Sequence, residues 1–448
     1  MSADPTLREE LGALLRLSWP ITLAQLGVMA MGLVDTAVLG RVSVTELAGS
    51  AIGRAVMFAS ITPAMGIALA LEPLASQAVG AGELGRAWAS LKATSKGVLI
   101  VGLPLVLVGL VLLQFLEVCG VEPEIARRAR AFSLTQAPGM LLTLVFLAHK
   151  TFLQSQGLTR PALVASAVAN LTNLVICNLL VRGDDFLVSM GFAPWGLPRL
   201  GATGAGLAFS LASAVMVAFV VLASNKLRPT VAPAILEVRR VLTLGLPVGL
   251  QLLAEVGVFA LCTVLVGRFG PAAVSSHQVA LGLASFTFMG AVGFSGAAAV
   301  RVGYAVGEGR SPRRAGIVGL SCGGLFMAGA GVVFALFPSG LVRLFTQDPE
   351  VVALGGRLVI IAAFFQLFDG LQVVGGGALR GAGDVRFPFV ATALAHWAVG
   401  FPAAMFLAFR MHLDVLGIWW GLALGLVVIS GLLVARFFYV TRGLIARV

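Results

Sequence analysis

Charge is what this chain has least of. Only 11% of its 448 residues are Asp, Glu, Lys or Arg, against roughly 25% in a soluble domain, so its surface cannot face water on all sides. Cysteine is sparse too. Cys119, Cys177, Cys262 and Cys322 lie in or beside apolar stretches and never in CxxC spacing. That excludes a redox pair or a zinc ribbon and leaves them as small packing residues. His149, His277, His396 and His412 are scattered singly, so no metal site is expected. HExxH, GxSxG and paired-histidine motifs are missing, which argues against a membrane-embedded enzyme. Alternating ten-residue segments are missing as well, which argues against a membrane β-barrel. The polar start, Met1 to Pro5, leads through Arg8-Glu9-Glu10 into a span too long for a signal h-region, so no cleavable signal is expected.

What the chain has in quantity is apolar sequence: 58% hydrophobic residues and a mean hydropathy of +0.99. Apolar runs of about 20 residues recur throughout, the length a helix needs to cross a bilayer. Lipid offers no partner to backbone N–H and C=O groups, so each run is expected to be a helix. About twelve spans are read, near 13–39, 51–79, 93–116, 127–152, 161–181, 200–224, 241–267, 275–305, 314–338, 352–379, 387–409 and 415–438. Assigned to alternate sides, 20 of the 31 Lys and Arg fall on the side holding both termini. The positive-inside rule makes that side cytoplasmic, so the net charge of +11 is a topology signal and no nucleic-acid partner is expected.

The two halves repeat. Pro20 opens PITLAQLG and Pro247 opens PVGLQLLAE, an offset of 227. The same offset carries Leu39-Gly40-Arg41 to Val266-Gly267-Arg268, Gly66 to Gly293, and Ala78-Val79-Gly80-Ala81-Gly82 to Ala305-Val306-Gly307-Glu308-Gly309. A register kept over separated blocks marks a duplication. Six spans per half give a parallel repeat, with a solute site expected in a central cleft near the midplane. The division expected is an N-terminal lobe at 1–224, a polar, Pro-bearing cytoplasmic linker at 225–240, and a C-terminal lobe at 241–448.

Several blocks, in order and spread along nearly the whole chain, resemble the multidrug and toxic compound extrusion family, most closely its NorM-type branch. They are Pro20 with Asp35, Thr36 and Gly40; SQAVGAGE at 76–83; TFLQSQGLTRP at 151–161; Asn170 and Asn173; Gly201 to Ala205; RVGYAVGEG at 301–309; and Leu379-Arg380-Gly381-Ala382-Gly383-Asp384. The resemblance implies outward antiport of amphipathic, often cationic, small molecules coupled to H⁺ or Na⁺, without a cofactor. It also implies that cation-linked acids fall on Asp35, Glu255 and Asp369.

These acids stand out on physical grounds as well, since a carboxylate in the bilayer costs roughly 2.5–3.5 kcal/mol and needs a reason to be there. Twelve residues separate Glu255 from Gly267, roughly 18 Å of helix, which places it near mid-depth. Gln251 shares its face, as Gln366 and Gln372 share that of Asp369. A buried carboxyl can load protons, and a pair of them can hold Na⁺; the residues leave that choice open. Thr36, Asn170 and Asn173 are expected to supply neutral polar lining, while Cys177 puts a second proton site on the fifth span in doubt. Glu72 is expected to snorkel or to meet a basic group, and Arg54 and Arg301 to reach the membrane interfaces. Phe364, Phe365 and Phe368, with Phe286, Phe288 and Phe294, are candidates for pocket lining or packing. The expected protein is a monomeric, multi-pass antiporter of the plasma (inner) membrane, in contact with lipid, handling cationic or amphipathic drugs. The alternative is a flippase of lipid-linked precursors from the same superfamily.

Overall fold

A computed structural model describes residues 5–230 and 237–448, and all regular structure among them is helical. Twelve helices are long and apolar enough to cross a membrane: α1 (Leu7–Gly40), α2 (Val44–Gly80), α3 (Leu84–Phe115), α4 (Pro123–Ser155), α5 (Arg160–Arg182), α6 (Ala202–Asn225), α7 (Val238–Phe269), α8 (Pro271–Gly307), α9 (Arg313–Leu336), α10 (Pro349–Gly381), α11 (Arg386–Arg410) and α12 (Asp414–Val440). They match the twelve expected spans one for one. Even α5, with 23 residues, gives about 35 Å of helix for a hydrocarbon core of roughly 30 Å. The linker expected at 225–240 falls partly on 231–236, outside the described residues.

Proline sets the irregularities. Helix α2 is interrupted at Ala70, because Pro73 has no N–H for the Leu69 carbonyl and its ring crowds that oxygen. In α11 the backbone widens to π-helix at Leu394–Gly400 and Phe406–Arg410, on either side of Pro402, which cannot bond four residues back.

Packing divides the chain into two compact units. The first comprises Met1–Thr22, Glu72–Glu83 and Leu250–Val448, and the second Leu23–Leu71 and Leu84–Gly249. Helices α1, α2 and α7 therefore each serve both units. Three of the four changes of unit lie within three residues of Pro20, Pro73 or Pro247, where a missing backbone bond lets a helix bend, and the fourth, Glu83 to Leu84, falls in the connection between α2 and α3. The first unit holds one continuous core that joins Leu14 and Ile21 to Leu358, Phe365, Trp419 and Phe437. The second has three smaller clusters, around Phe146 and Met216, Phe132 and Cys177, and Met57 and Met140.

Helices in lipid associate by close packing at small residues, and here the contacts obey the repeat. A Cβ on Gly66 would overlap the backbone nitrogen of Gly249, and a Cβ on Gly293 would overlap Thr22. The offset of 227 converts one contact into the other, since it carries Thr22 to Gly249 and Gly66 to Gly293. The same holds for Gly80 against the Tyr304 carbonyl and Gly307 against the Gln77 carbonyl. Duplicated positions thus make duplicated contacts. Gly66→Val should lower thermal stability by about 1–3 kcal/mol or prevent folding, because backbone cannot retreat as a side chain can. Gly12→Ala, with open space around it, should leave the unfolding midpoint unchanged. Equal midpoints for the two variants would refute the close-packing account.

Between α5 and α6 the Asp184 carboxylate accepts the amides of Trp195, Gly196 and Leu197 at 2.9, 2.9 and 3.1 Å. Desolvation pushes its pKa up, but the three amides outweigh this and hold it below the ordinary carboxylate value. The folded loop therefore binds fewer protons than a free one. The clasp is intact at neutral pH and is lost as pH falls through the depressed value. Amide exchange at 195–197, corrected for intrinsic rates, should quicken on acidification and, at neutral pH, in Asp184→Ala.

Candidate functional site

In the first unit, α7 carries Gln251 and Glu255 one turn apart, and α10 carries Gln366, Asp369 and Gln372 along one face. Gln372 Nε2 donates to Glu255 Oε1 at 3.1 Å, which ties the two helices. Gln366 Nε2 donates to Thr287 Oγ1 of α8 at 2.8 Å. Asp369 is buried and lies within the field of Glu255, while Arg380 acts on Glu255 with the opposite sign. The side-chain oxygens of Gln251, Gln366 and Gln372 are buried and accept from no donor. Buried acceptors without donors are rare, and buried carboxyls favour a proton or a cation nearby. An oxygen-rich set of this kind has the chemistry to take a proton or a hard monovalent cation. Among the described residues no three His, Cys, Asp or Glu gather as metal chelators would.

The second unit holds Asp35, fully enclosed. Arg54 Nη2 of α2 lies 3.3 Å from its Oδ2, Asn173 Nδ2 donates to its Oδ1 at 3.2 Å, and the Cys177 thiol donates to the same carboxylate. Two of the expected lining residues are engaged elsewhere. Thr36 is exposed and donates to Gly32 O of its own helix at 2.8 Å. Asn170 donates to Gly27 O and Ser166 O, both at 2.7 Å, and so fastens α5 to α1.

Three charged side chains behave differently from expectation or more specifically than it. Arg54 and Arg301 each meet a carboxylate. Arg54 takes Asp35, and Arg301 makes two bonds of 2.7 Å to Glu10. An internal carboxylate satisfies a guanidinium as water would, so snorkelling is unnecessary. Glu72 meets its basic group in Arg380, whose Nε lies 2.9 Å from Oε2 and whose Nη2 donates to Ser295 Oγ at 3.3 Å. The sequence signals only that acids and arginines inside spans tend to find one another, not which acid meets which arginine. Of the aromatics, Phe365 stacks on Trp419 and Phe294 packs on Phe326, while Phe364 contacts Phe368 and Trp420.

The MatE family pattern matches residues 20–179 and again 247–406, two copies 227 residues apart, the register already seen in sequence and packing. A probable multidrug resistance protein NorM of Rhodopseudomonas palustris is 36% identical, over 98% of this chain and 94% of that protein. The chain belongs to the MATE family. Another member similar to it is the multidrug resistance protein MdtK of Proteus mirabilis, 31% identical over 97% of this chain and 96% of that one. The crystal structure of the eukaryotic MATE transporter AtDTX14 shares the fold, with a TM-score of 0.85 at 20% identity, covering 96% of each chain. Like other MATE proteins, this one is a multi-pass membrane transporter and not an enzyme.

Proposed function

We propose that this MATE protein expels amphipathic organic cations from the cell in exchange for inward H⁺ or Na⁺, by alternating access. The observation that carries the reading is the Glu255–Asp369 patch with its three donorless glutamine oxygens. Deep negative potential suits cationic cargo and disfavours the pyrophosphate of a lipid-linked precursor. Names of relatives that refer to multidrug resistance support the same cargo class. We place the protein in the cell membrane, as the bacterial relatives suggest, as a monomer, and with both termini cytoplasmic on the strength of the Lys/Arg asymmetry. The repeats 1–224 and 241–448 serve as its lobes.

Cargo and coupling ion seek the same carboxylates, so each should weaken the other by an equal factor. Ethidium affinity of the purified protein is expected to fall as pH drops if protons couple, or as Na⁺ rises if sodium couples. In liposomes, an imposed gradient of that one ion should drive ethidium transport. Affinity indifferent to both ions, together with no gradient-driven flux, would refute antiport and favour the flippase.

A further inference from the structure

We infer that Arg54 is the resident cation of Asp35, so that the second unit carries no coupling site of its own and cation exchange rests on Glu255 and Asp369 alone. The inference builds on the antiport reading and changes which of the three acids serve it. Both oxygens of Asp35 already have donors within the unit: Arg54 on Oδ2 at 3.3 Å and Asn173 on Oδ1 at 3.2 Å. In the first unit, by contrast, no guanidinium contacts Glu255 or Asp369 directly among the described residues; Glu255 takes only the Gln372 amide.

The place for the guanidinium is built. Gly32 clears the way for it, since a Cβ there would stand 2.6 Å from Arg54 Nη1. Phe132 lies beneath, with its ring centroid 5.6 Å from Arg54 Cζ. The Asp35 side chain is fully enclosed, while 26% of the Arg54 side chain stays exposed. A cation arriving at Asp35 must therefore displace a tethered one that reaches the acid through an already formed contact. Until it does so, the fixed guanidinium repels it. The register of 227 sets Cys262 opposite Asp35 and Leu281 opposite Arg54. The other repeat thus lacks both members, as expected if acid and base act as one unit.

The test counts cations. With purified full-length protein in detergent, protons released into weak buffer, or radiolabelled sodium displaced, are measured per ethidium bound. Arg54→Gln frees Asp35 and should raise the ratio by about one, because a buried carboxylate stripped of its partner takes another cation. The charge-neutral double variant Asp35→Asn/Arg54→Gln should return the wild-type ratio. A purely structural salt bridge would leave the ratio unmoved in every folded variant. An unchanged ratio in folded Arg54→Gln overturns the inference. If that variant does not fold, the double variant decides, and a ratio lower than wild type by about one overturns it, since Asp35 would then have held a coupling cation. No cation exchange in wild type would instead overturn the antiport reading, and this inference with it.

Discussion

Glu255→Gln and Asp369→Asn are each expected to reduce gradient-driven efflux by on the order of tenfold or more while leaving the protein folded in the membrane. Both changes keep the shape of the side chain and remove its charge. Gln at 255 retains an oxygen for the Gln372 amide, now 3.1 Å from Glu255 Oε1, so the α7–α10 tie survives. What is lost is the reason for a cation to bind, because amide oxygens alone do not offset the dehydration of an ion in a low-dielectric site. The loss should appear in flux under the coupling gradient and as a flattened dependence of ethidium affinity on pH or Na⁺. Membrane yield and unfolding midpoint should stay near wild type. Wild-type pumping in both variants would make the acids structural and move coupling elsewhere.

The fold was legible because its causes are periodic. Lipid forces helices, the apolar runs mark their lengths, and the offset of 227 predicts which glycines meet, so that Gly66 with Gly249 and Gly293 with Thr22 are one contact made twice. The glutamine neighbours of the two acids were legible for a related reason, since Gln251 lies one turn from Glu255, and Gln366 and Gln372 flank Asp369 at helical spacing. The ion-pair partners were not, because charge departs from the repeat. The register sets Val28 opposite Glu255, Cys262 opposite Asp35 and Ala299 opposite Glu72, so no symmetry argument links an acid to its base. Arg380 was visible only as part of a glycine-rich motif. Its approach to Glu72 depends on the bend that Pro73 imposes and on α2 changing compact unit at that residue. Thr36 and Asn170 have local partners that the sequence did not point to. They are polar residues in a span whose donors go to nearby backbone carbonyls, as hydroxyl and amide side chains in helices often arrange.

Removing one side of the Glu72–Arg380 pair is expected to cost about 3–5 kcal/mol, because it leaves the other charge buried and unpaired. Screening gives little relief, since only 6% of the Glu72 side chain and 12% of the Arg380 side chain are exposed. The pair is fixed from both ends. Glu72 stands in the first turn of the segment Leu71–Gly80, where free backbone N–H groups favour an acid. Arg380 is held in turn by Ser295 Oγ, whose own proton goes to Val373 O at 2.7 Å. Arg380→Gln and Glu72→Gln should each lower the unfolding midpoint of the detergent-solubilised protein sharply. The double variant, which buries two neutral amides able to bond one another, should recover most of the loss, so that the coupling energy of the cycle is large and favourable. Two single variants that unfold near the wild-type temperature would place the pair among the weak, water-exposed ones, worth about 0–1 kcal/mol. Additive losses in the double variant would mean that each side chain matters for its packing and not for its partner.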